Sequence, residues 1–260
     1  MRIVLADIER EPLSWTDEEL RTTGAEVLAV VADVSSAEDV ERVARETLDR
    51  FGAVHLLFNN AGVGLIGPNV SECTHADWEW VLGVNLRGVA HGLRVFLPIM
   101  IEQATECHVV NTASAAALVH GPGMGIYNAS KAGVVAISET LHHELALNQS
   151  AVRVSVLCPG YVNTRMVDAS RNRPAGLQND PDLETRRRTK HAAEEQEVRE
   201  AVAAAMSPEE VAEVVIDAIR HERFYIFTHP WLKEALQLRT QNIVDERDPW
   251  TGSGYKEPGF

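Results

Sequence analysis

Residues 108–131 read HVVNTASAAALVHGPGMGIYNASK, and the rest of the chain is read outward from them. Residues 108–112 form a short run suited to a strand. Ser114 follows the strand end, Gly121–Pro122–Gly123 marks a loop, and the spacing predicts a helix over 125–147. On that helix Tyr127 and Lys131 are i and i+4 neighbours, which sets an ammonium beside a phenol. A nearby cation favours phenolate and lowers a tyrosine pKa from its ordinary value of about 10. Ser114 is placed to hold the oxygen of the same carbonyl or alcohol, so the stretch reads as a proton-transfer site. A tyrosine and a lysine four apart also occur on many solvated helix faces, and the neighbouring sequence has to decide between the two readings.

The chain on either side alternates strand and helix. Residues 2–6 are an apolar run closed by Asp7, which suits a buried parallel strand. A helix is expected from Glu11, with Thr16 and Glu19 spaced as a capping box and Gly24 as the stop. Residues 26–32 form the next strand and end at Asp33–Val34, and Ser36 and Asp39 open a helix that Gly52 ends. A third strand over 54–58 runs into Asn59–Asn60–Ala61–Gly62, and one long helix is expected over 75–103. Strand 153–157 ends at Cys158–Pro159–Gly160, Ser207–Pro208 opens a helix, and 224–228 and 231–244 are the last strand and helix. Such alternation predicts a parallel sheet with helices on both faces and ligands beyond the carboxyl ends of the strands. Asp7, Asp33, Asn59 to Gly62, Ser114 and Pro159–Gly160 would line that edge. Residues 163–205 are polar and weakly patterned, the expectation being a substrate lid or a disordered insertion. Residues 245–260 read as a flexible tail.

A chain of 260 residues with 45% hydrophobic content is sized for one domain, 1–260. Lys and Arg number 24 against 38 Asp and Glu, and the net charge of −14 argues against a nucleic-acid partner. Cys73, Cys107 and Cys158 are an odd, widely spaced set without a ligand pattern, read as reduced, buried thiols of a cytoplasmic protein with no metal site. No apolar run reaches the roughly 18 to 20 residues of a membrane span, and the start lacks the order of a signal peptide.

Five motifs stand in order: NNAG at Asn59–Gly62, VNLRG around Asn85, Ser114, YNASK at Tyr127–Lys131, and PGYVNT at Pro159–Thr164. On these the chain resembles the short-chain dehydrogenase/reductases, single-domain Rossmann-type enzymes that use NAD(P). The likeness is close over about 1–164 and looser over 207–228. It implies a three-layer, doubly wound, mostly parallel sheet and hydride transfer between NAD(H) and a small secondary alcohol or ketone. By the same resemblance Tyr127 is the general acid/base, Lys131 lowers its pKa and holds the nicotinamide ribose, Ser114 binds the substrate oxygen, and Asn85 anchors a relay water. The cofactor would meet Asn59, Ala61 and Gly62, with Asp33 and Val34 at the adenine. Pro159 and Gly160 would also meet the cofactor, and Val162 and Thr164 the nicotinamide amide. Asp7 would accept hydrogen bonds from the adenosine ribose and repel a 2′-phosphate, which favours NAD over NADP, with Arg10 nearby as a counterweight. Ala116, Leu118, His120, Met124 and Tyr161 would face the substrate. A homo-oligomer, dimer or tetramer, is implied through the helices at 78–97 and 134–147.

One departure is large. The family's first strand and TGxxxGxG loop would stand ahead of Met1, and no glycine-rich loop precedes Asn59. Without that strand–loop–helix of roughly 30 residues, a slot of about 10 Å, two strand spacings, is expected between the strands at 2–6 and 54–58. Either the protein is longer than this sequence, or the sheet re-pairs, or a partner fills the slot; the first is the expectation. The alternative function is a catalytically inactive binding or oligomerisation module of the same fold. A hydrolase using Ser114 is disfavoured, because no GxSxG elbow surrounds it.

Overall fold

A computed structural model describes residues 1–249. Its strands are β1 (Arg2–Asp7), β2 (Glu26–Val31), β3 (Leu56–Asn59), β4 (Cys107–Thr112), β5 (Val152–Cys158) and β6 (Tyr225–Phe227). Its helices are α1 (Arg10–Thr22), α2 (Ala37–Phe51), α3 (His75–Leu82), α4 (Gly88–Glu102), α5 (Gly125–Leu147), α6 (Pro181–Lys190), α7 (Ala192–Ala203), α8 (Pro208–Arg220) and α9 (Trp231–Val244). All strand pairs are parallel, in the order β3-β4-β5-β6, with β1 and β2 as a separate pair.

Alternate residues of the central strands bury against helices on opposite faces, as a parallel sheet covered on both sides requires. Val109 and Val154 pack with Phe96 and Met100 of α4 and Val134 and Leu141 of α5. Val110 and Leu157 pack with Val215 and Ala218 of α8. This is the Rossmann-like α/β layering that the alternating sequence predicts.

Local chemistry explains where elements begin and where the sequence reading needs correcting. Ser36 caps α2 by accepting from the Asp39 amide at 3.2 Å, and Gly52 ends it at φ +77°. Ser207 and Glu210 form the capping box of α8. The box expected at Thr16 is not a helix start: α1 begins at Arg10, and Thr16 Oγ1 donates to the Pro12 carbonyl at 3.0 Å. The helix expected from Glu11 thus starts one residue earlier, and Pro12 suits its first turn, where φ is preset and the missing amide needs no partner. The single helix expected over 75–103 is divided by a π turn at Gly83–Arg87, where Asn85 lies. Gly88, just beyond, lets α4 pass close over the end of β2, since a Cβ there would stand 2.8 Å from Val34 Cγ2.

Residues 163–205 are not an irregular insertion. They hold two short 3₁₀ turns, Arg165–Asn172 and Ala175–Leu177, followed by α6 and α7. Asp180 caps α6, accepting from the amides of Asp182 at 2.8 Å and Leu183 at 3.2 Å. Of the expected tail, 245–249 follow α9, and the remainder lies outside the described residues.

The sheet has not re-paired across the expected slot. β1 and β3 share no ladder, and Phe58, in the middle of β3, is 46% exposed. Among the described residues no helix is long and apolar enough to cross a membrane, and no cluster of His, Cys, Asp and Glu is arranged to hold a metal. The three cysteines are free; Cys107 and Cys158 are buried as expected, whereas Cys73 is only partly so.

Candidate active site

A cavity of about 1310 Å³ opens at the carboxyl ends of the strands. Asp7 borders it from β1, Asp33 and Val34 from the end of β2, and Ala61 and Gly62 from the turn after β3. Ser114 enters from beyond β4, Pro159 and Gly160 from beyond β5, and Tyr127 and Lys131 from the first turns of α5. Val162 and Thr164 complete the wall, followed by residues of the 163–205 segment.

Within the wall, Lys131 is 1% exposed, and its Nζ donates to the Thr112 carbonyl at 2.8 Å. Burial pushes its pKa down to about 8. The same burial pushes the Tyr127 phenol above its ordinary value, against hydrogen bonding from Ser114. That direction is opposite to the one expected from a neighbouring ammonium. Desolvation is the larger effect, and Lys131 Nζ, bonded to the Thr112 carbonyl, lies 5.9 Å from the centre of the Tyr127 ring. Ser114 Oγ accepts from the Ala116 amide at 3.1 Å, which leaves its own proton to donate. Burial also pushes the Cys158 thiol up to about 12, so the sulfur beside this site is an unreactive packing atom.

Two predicted residues stand behind the wall rather than in it. Asn85 is fully buried; its Oδ1 accepts from the Val63 amide at 2.8 Å, and its Nδ2 donates to the Val63 carbonyl at 2.9 Å and Ser130 Oγ at 3.1 Å. The polar side chain thereby pins the strand-end turn against α5. Asn59 turns inward and donates to Asn111 Oδ1 at 2.9 Å. Its Oδ1 would stand 2.0 Å from a Cβ at position 92, so Gly92 is what lets α4 approach it. Asp33 accepts from its neighbour Ser35, at 2.8 Å from the amide and 2.7 Å from Oγ. Among the residues expected to face substrate, Ala116, Met124 and Tyr161 line the cavity, whereas Leu118 and His120 do not.

Sequence reasoning passed over the fastening of the 163–205 segment. Asp77 in α3 is fully buried and accepts from Arg173 at 2.8 Å, Asn179 at 2.8 Å and Arg187 at 3.0 Å. Burial works to raise its pKa, but the Thr74 amide, Asn179 and the two guanidiniums together hold it below the ordinary carboxylate value. The Thr74–Asp77 capping spacing was the only local signal; the two arginines are about a hundred residues away in sequence. Removing one member of a buried ion cluster strands the others. Asp77→Asn is therefore expected to destabilise the fold by about 3 kcal/mol at neutral pH, measured by urea denaturation. An acid whose folded pKa is lowered contributes stability that is lost as pH falls, so the difference narrows in acid.

With the fold and site in place, the chain can be set beside known proteins. The family model for short chain dehydrogenase matches residues 1–175. A CLA biosynthesis dehydrogenase/reductase of Lactiplantibacillus plantarum is 32% identical over 249 residues, which is 96% of this chain and 86% of that protein. A 1-deoxy-11-beta-hydroxypentalenate dehydrogenase of Streptomyces arenae is 34% identical over 242 residues, 92% of this chain and 77% of that protein. A solved short chain dehydrogenase/reductase from Burkholderia phymatum in complex with NAD matches with a TM-score of 0.91 at 45% identity, covering 97% of this chain and 88% of that one. The motif order, the layered parallel sheet and these likenesses agree, and the chain belongs to the short-chain dehydrogenase/reductase family of nicotinamide-dependent oxidoreductases.

Proposed function

We propose that the protein interconverts a small secondary alcohol and its ketone with NAD(H), and that Tyr127 moves the proton. The observation that carries this reading is the convergence of Ser114, Tyr127 and Lys131 on one part of a cavity that Asp7, Asp33 and Val34 also border. A volume of about 1310 Å³ exceeds that of an ordinary small-ligand pocket, and it suits a dinucleotide and a substrate together.

The residues fit such a cofactor. Lys131 spends one of its N–H groups on Thr112 and has others for ribose hydroxyls. Gly62 keeps the floor low, since a Cβ there would crowd Lys131 Nζ at 3.3 Å and Asn85 Oδ1 at 3.4 Å. Asp7 Oδ1 accepts from the Glu9 amide at 2.8 Å, which leaves Oδ2 for the adenosine ribose. That carboxylate favours NAD over NADP. A bound nicotinamide dinucleotide supplies the hydride acceptor or donor.

Tyr127 Oη takes the alcohol proton or returns it to the ketone oxygen, and Ser114 Oγ donates to that oxygen as charge develops on it. The Asn85 side chain is bonded to Val63 and Ser130, so it fixes the π turn against α5. Val162 and Thr164 hold the nicotinamide amide, and 163–205 is the lid over the substrate. A groove of about 470 Å³ between α4 and α5, lined by Leu93, Leu97, Ile137 and Leu141, supports a homo-oligomer packed through those helices. The free thiols favour a cytoplasmic setting.

The gap between β1 and β3 is the seat, in this reading, of one more parallel strand whose glycine-rich turn gives amides to the pyrophosphate. Calorimetry of NADH with this chain, and with a version carrying a family-type strand, turn and helix ahead of Met1, tests both parts. The extended protein is expected to bind at least about tenfold more tightly. Equal affinity rejects the gap reading, and no binding to either rejects the nicotinamide reading.

A further inference from the structure

The corner beyond β1 joins the proposed lid to the nucleotide end of the cavity, and its charges are arranged in a way that the cavity's shape does not require. Glu9 stands two residues after Asp7, and its amide is already bound to the Asp7 carboxylate at 2.8 Å. Its own carboxylate accepts from Arg171 Nε at 3.1 Å and 3.2 Å and from Asn172 at 3.0 Å, with Arg165 at 3.8 Å. Arg171 also donates to the carbonyls of Arg165 at 2.8 Å and Asp168 at 2.9 Å, which holds its guanidinium over the corner. Asp7, Glu9, Arg165, Arg171 and Asn172 all border the main cavity.

The charge count matters. The Asp168 side chain is paired with Arg199 at 2.7 Å. Two arginines of the proposed lid, Arg165 and Arg171, approach Glu9, with Arg171 bonded to it, and Asp168 adds a weaker field from its pair with Arg199. Glu9 is held ionised, its pKa pulled down to about 2 chiefly by hydrogen bonding from Arg171. A guanidinium that is already matched to a carboxylate offers little to a phosphate, whereas a released one binds phosphate in the same forked geometry.

We propose that Glu9 and Arg171 set the dinucleotide preference of this site: Glu9 occupies the lid arginines, so the corner accepts a bare ribose diol and refuses a 2′-phosphate. The inference rests on the reading of Asp7 as the ribose partner. Glu9 acts through the arginines and Asp7 acts on the ribose, so their effects are separable by charge.

The test uses two small nucleotides that need no grip on the pyrophosphate, adenosine 2′,5′-bisphosphate and adenosine 5′-monophosphate, with affinities measured by protein NMR titration. Glu9→Gln is expected to raise the affinity ratio of bisphosphate to monophosphate by about tenfold, since two arginines then lack a counter-charge. Arg171→Gln is expected to lower the ratio, because Glu9 is left with less cationic charge around it. The double variant, Glu9→Gln with Arg171→Gln, is expected to return the ratio to within about threefold of the parent, because charge is balanced again. A merely structural clasp would move both single variants in the same direction without restoration, and that result, or an unchanged ratio, overturns the proposal. If neither nucleotide binds the parent chain, the ribose reading of Asp7 fails and the proposal with it, while the proton-transfer reading of Tyr127 keeps its own separate test.

Discussion

Tyr127→Phe is expected to reduce turnover by about 10²- to 10⁴-fold, the usual contribution of a positioned proton donor. The change removes one oxygen and keeps the ring, so NADH binding and melting temperature should stay close to those of the parent. Burial holds the Tyr127 phenol above its ordinary pKa, which keeps the hydroxyl protonated, with a proton to give to a ketone oxygen, at neutral pH. The loss is therefore expected in kcat for ketone reduction at every pH below that range. Steady-state kinetics with NADH and a panel of small ketones, together with a binding titration, separate the two effects. Undiminished turnover in the Phe variant would remove Tyr127 from the chemistry.

The second large effect runs in opposite directions for stability and activity. Lys131→Met should inactivate the enzyme, because the ammonium proposed to meet the nicotinamide ribose is gone. The same change should raise the stability of the free protein. Lys131 is 1% exposed with one carbonyl partner, and its pKa falls from 10.5 to about 8, which corresponds to a penalty on the order of 3 kcal/mol for keeping the charge inside. Met fills similar volume without charge, at the cost of one hydrogen bond to Thr112. The sign follows from linkage. The folded pKa lies below the unfolded one, so the penalty is complete below about pH 8, shrinks as pH rises towards 10.5, and is absent above it. Melting curves of parent and variant should differ by several degrees at pH 7 and converge near pH 10.5. A variant that is less stable than the parent at pH 7 would show that Lys131 has fuller compensation than a single carbonyl.

Such a pair of outcomes would be a stability cost carried for function. A buried ammonium with unspent N–H groups is poorly satisfied in the free protein and well satisfied once ribose hydroxyls arrive. Binding of NADH should therefore stabilise the parent more than the Met variant.

Much of this molecule is written locally. Adjacent apolar residues at Val109–Val110 and Val156–Leu157 suit strands covered on both faces, since a parallel sheet between helix layers buries successive residues on opposite sides. Ser36 with Gly52 and Ser207 with Glu210 mark helix ends through bonds that span three or four residues. Tyr127 and Lys131 share a helix face because 3.6 residues make a turn. The family likeness is of the same kind, short motifs in a set order.

Tertiary structure decided what those motifs do. The sequence reading placed Asn59 beside the cofactor, whereas packing against Gly92 and bonding to Asn111 turn it into the sheet. It let Lys131 lower the Tyr127 pKa, whereas burial, a property of the whole fold, raises it. The 163–205 segment looked irregular because its partners are remote: Arg187 meets Asp77 across 110 positions, and Arg171 meets Glu9 across 162. Period, capping and turn chemistry act over a few residues and are legible in a single chain of letters. Desolvation and the pairing of distant charges exist only once the layers close, and these determine the protonation of the site and the fastening of the 163–205 segment.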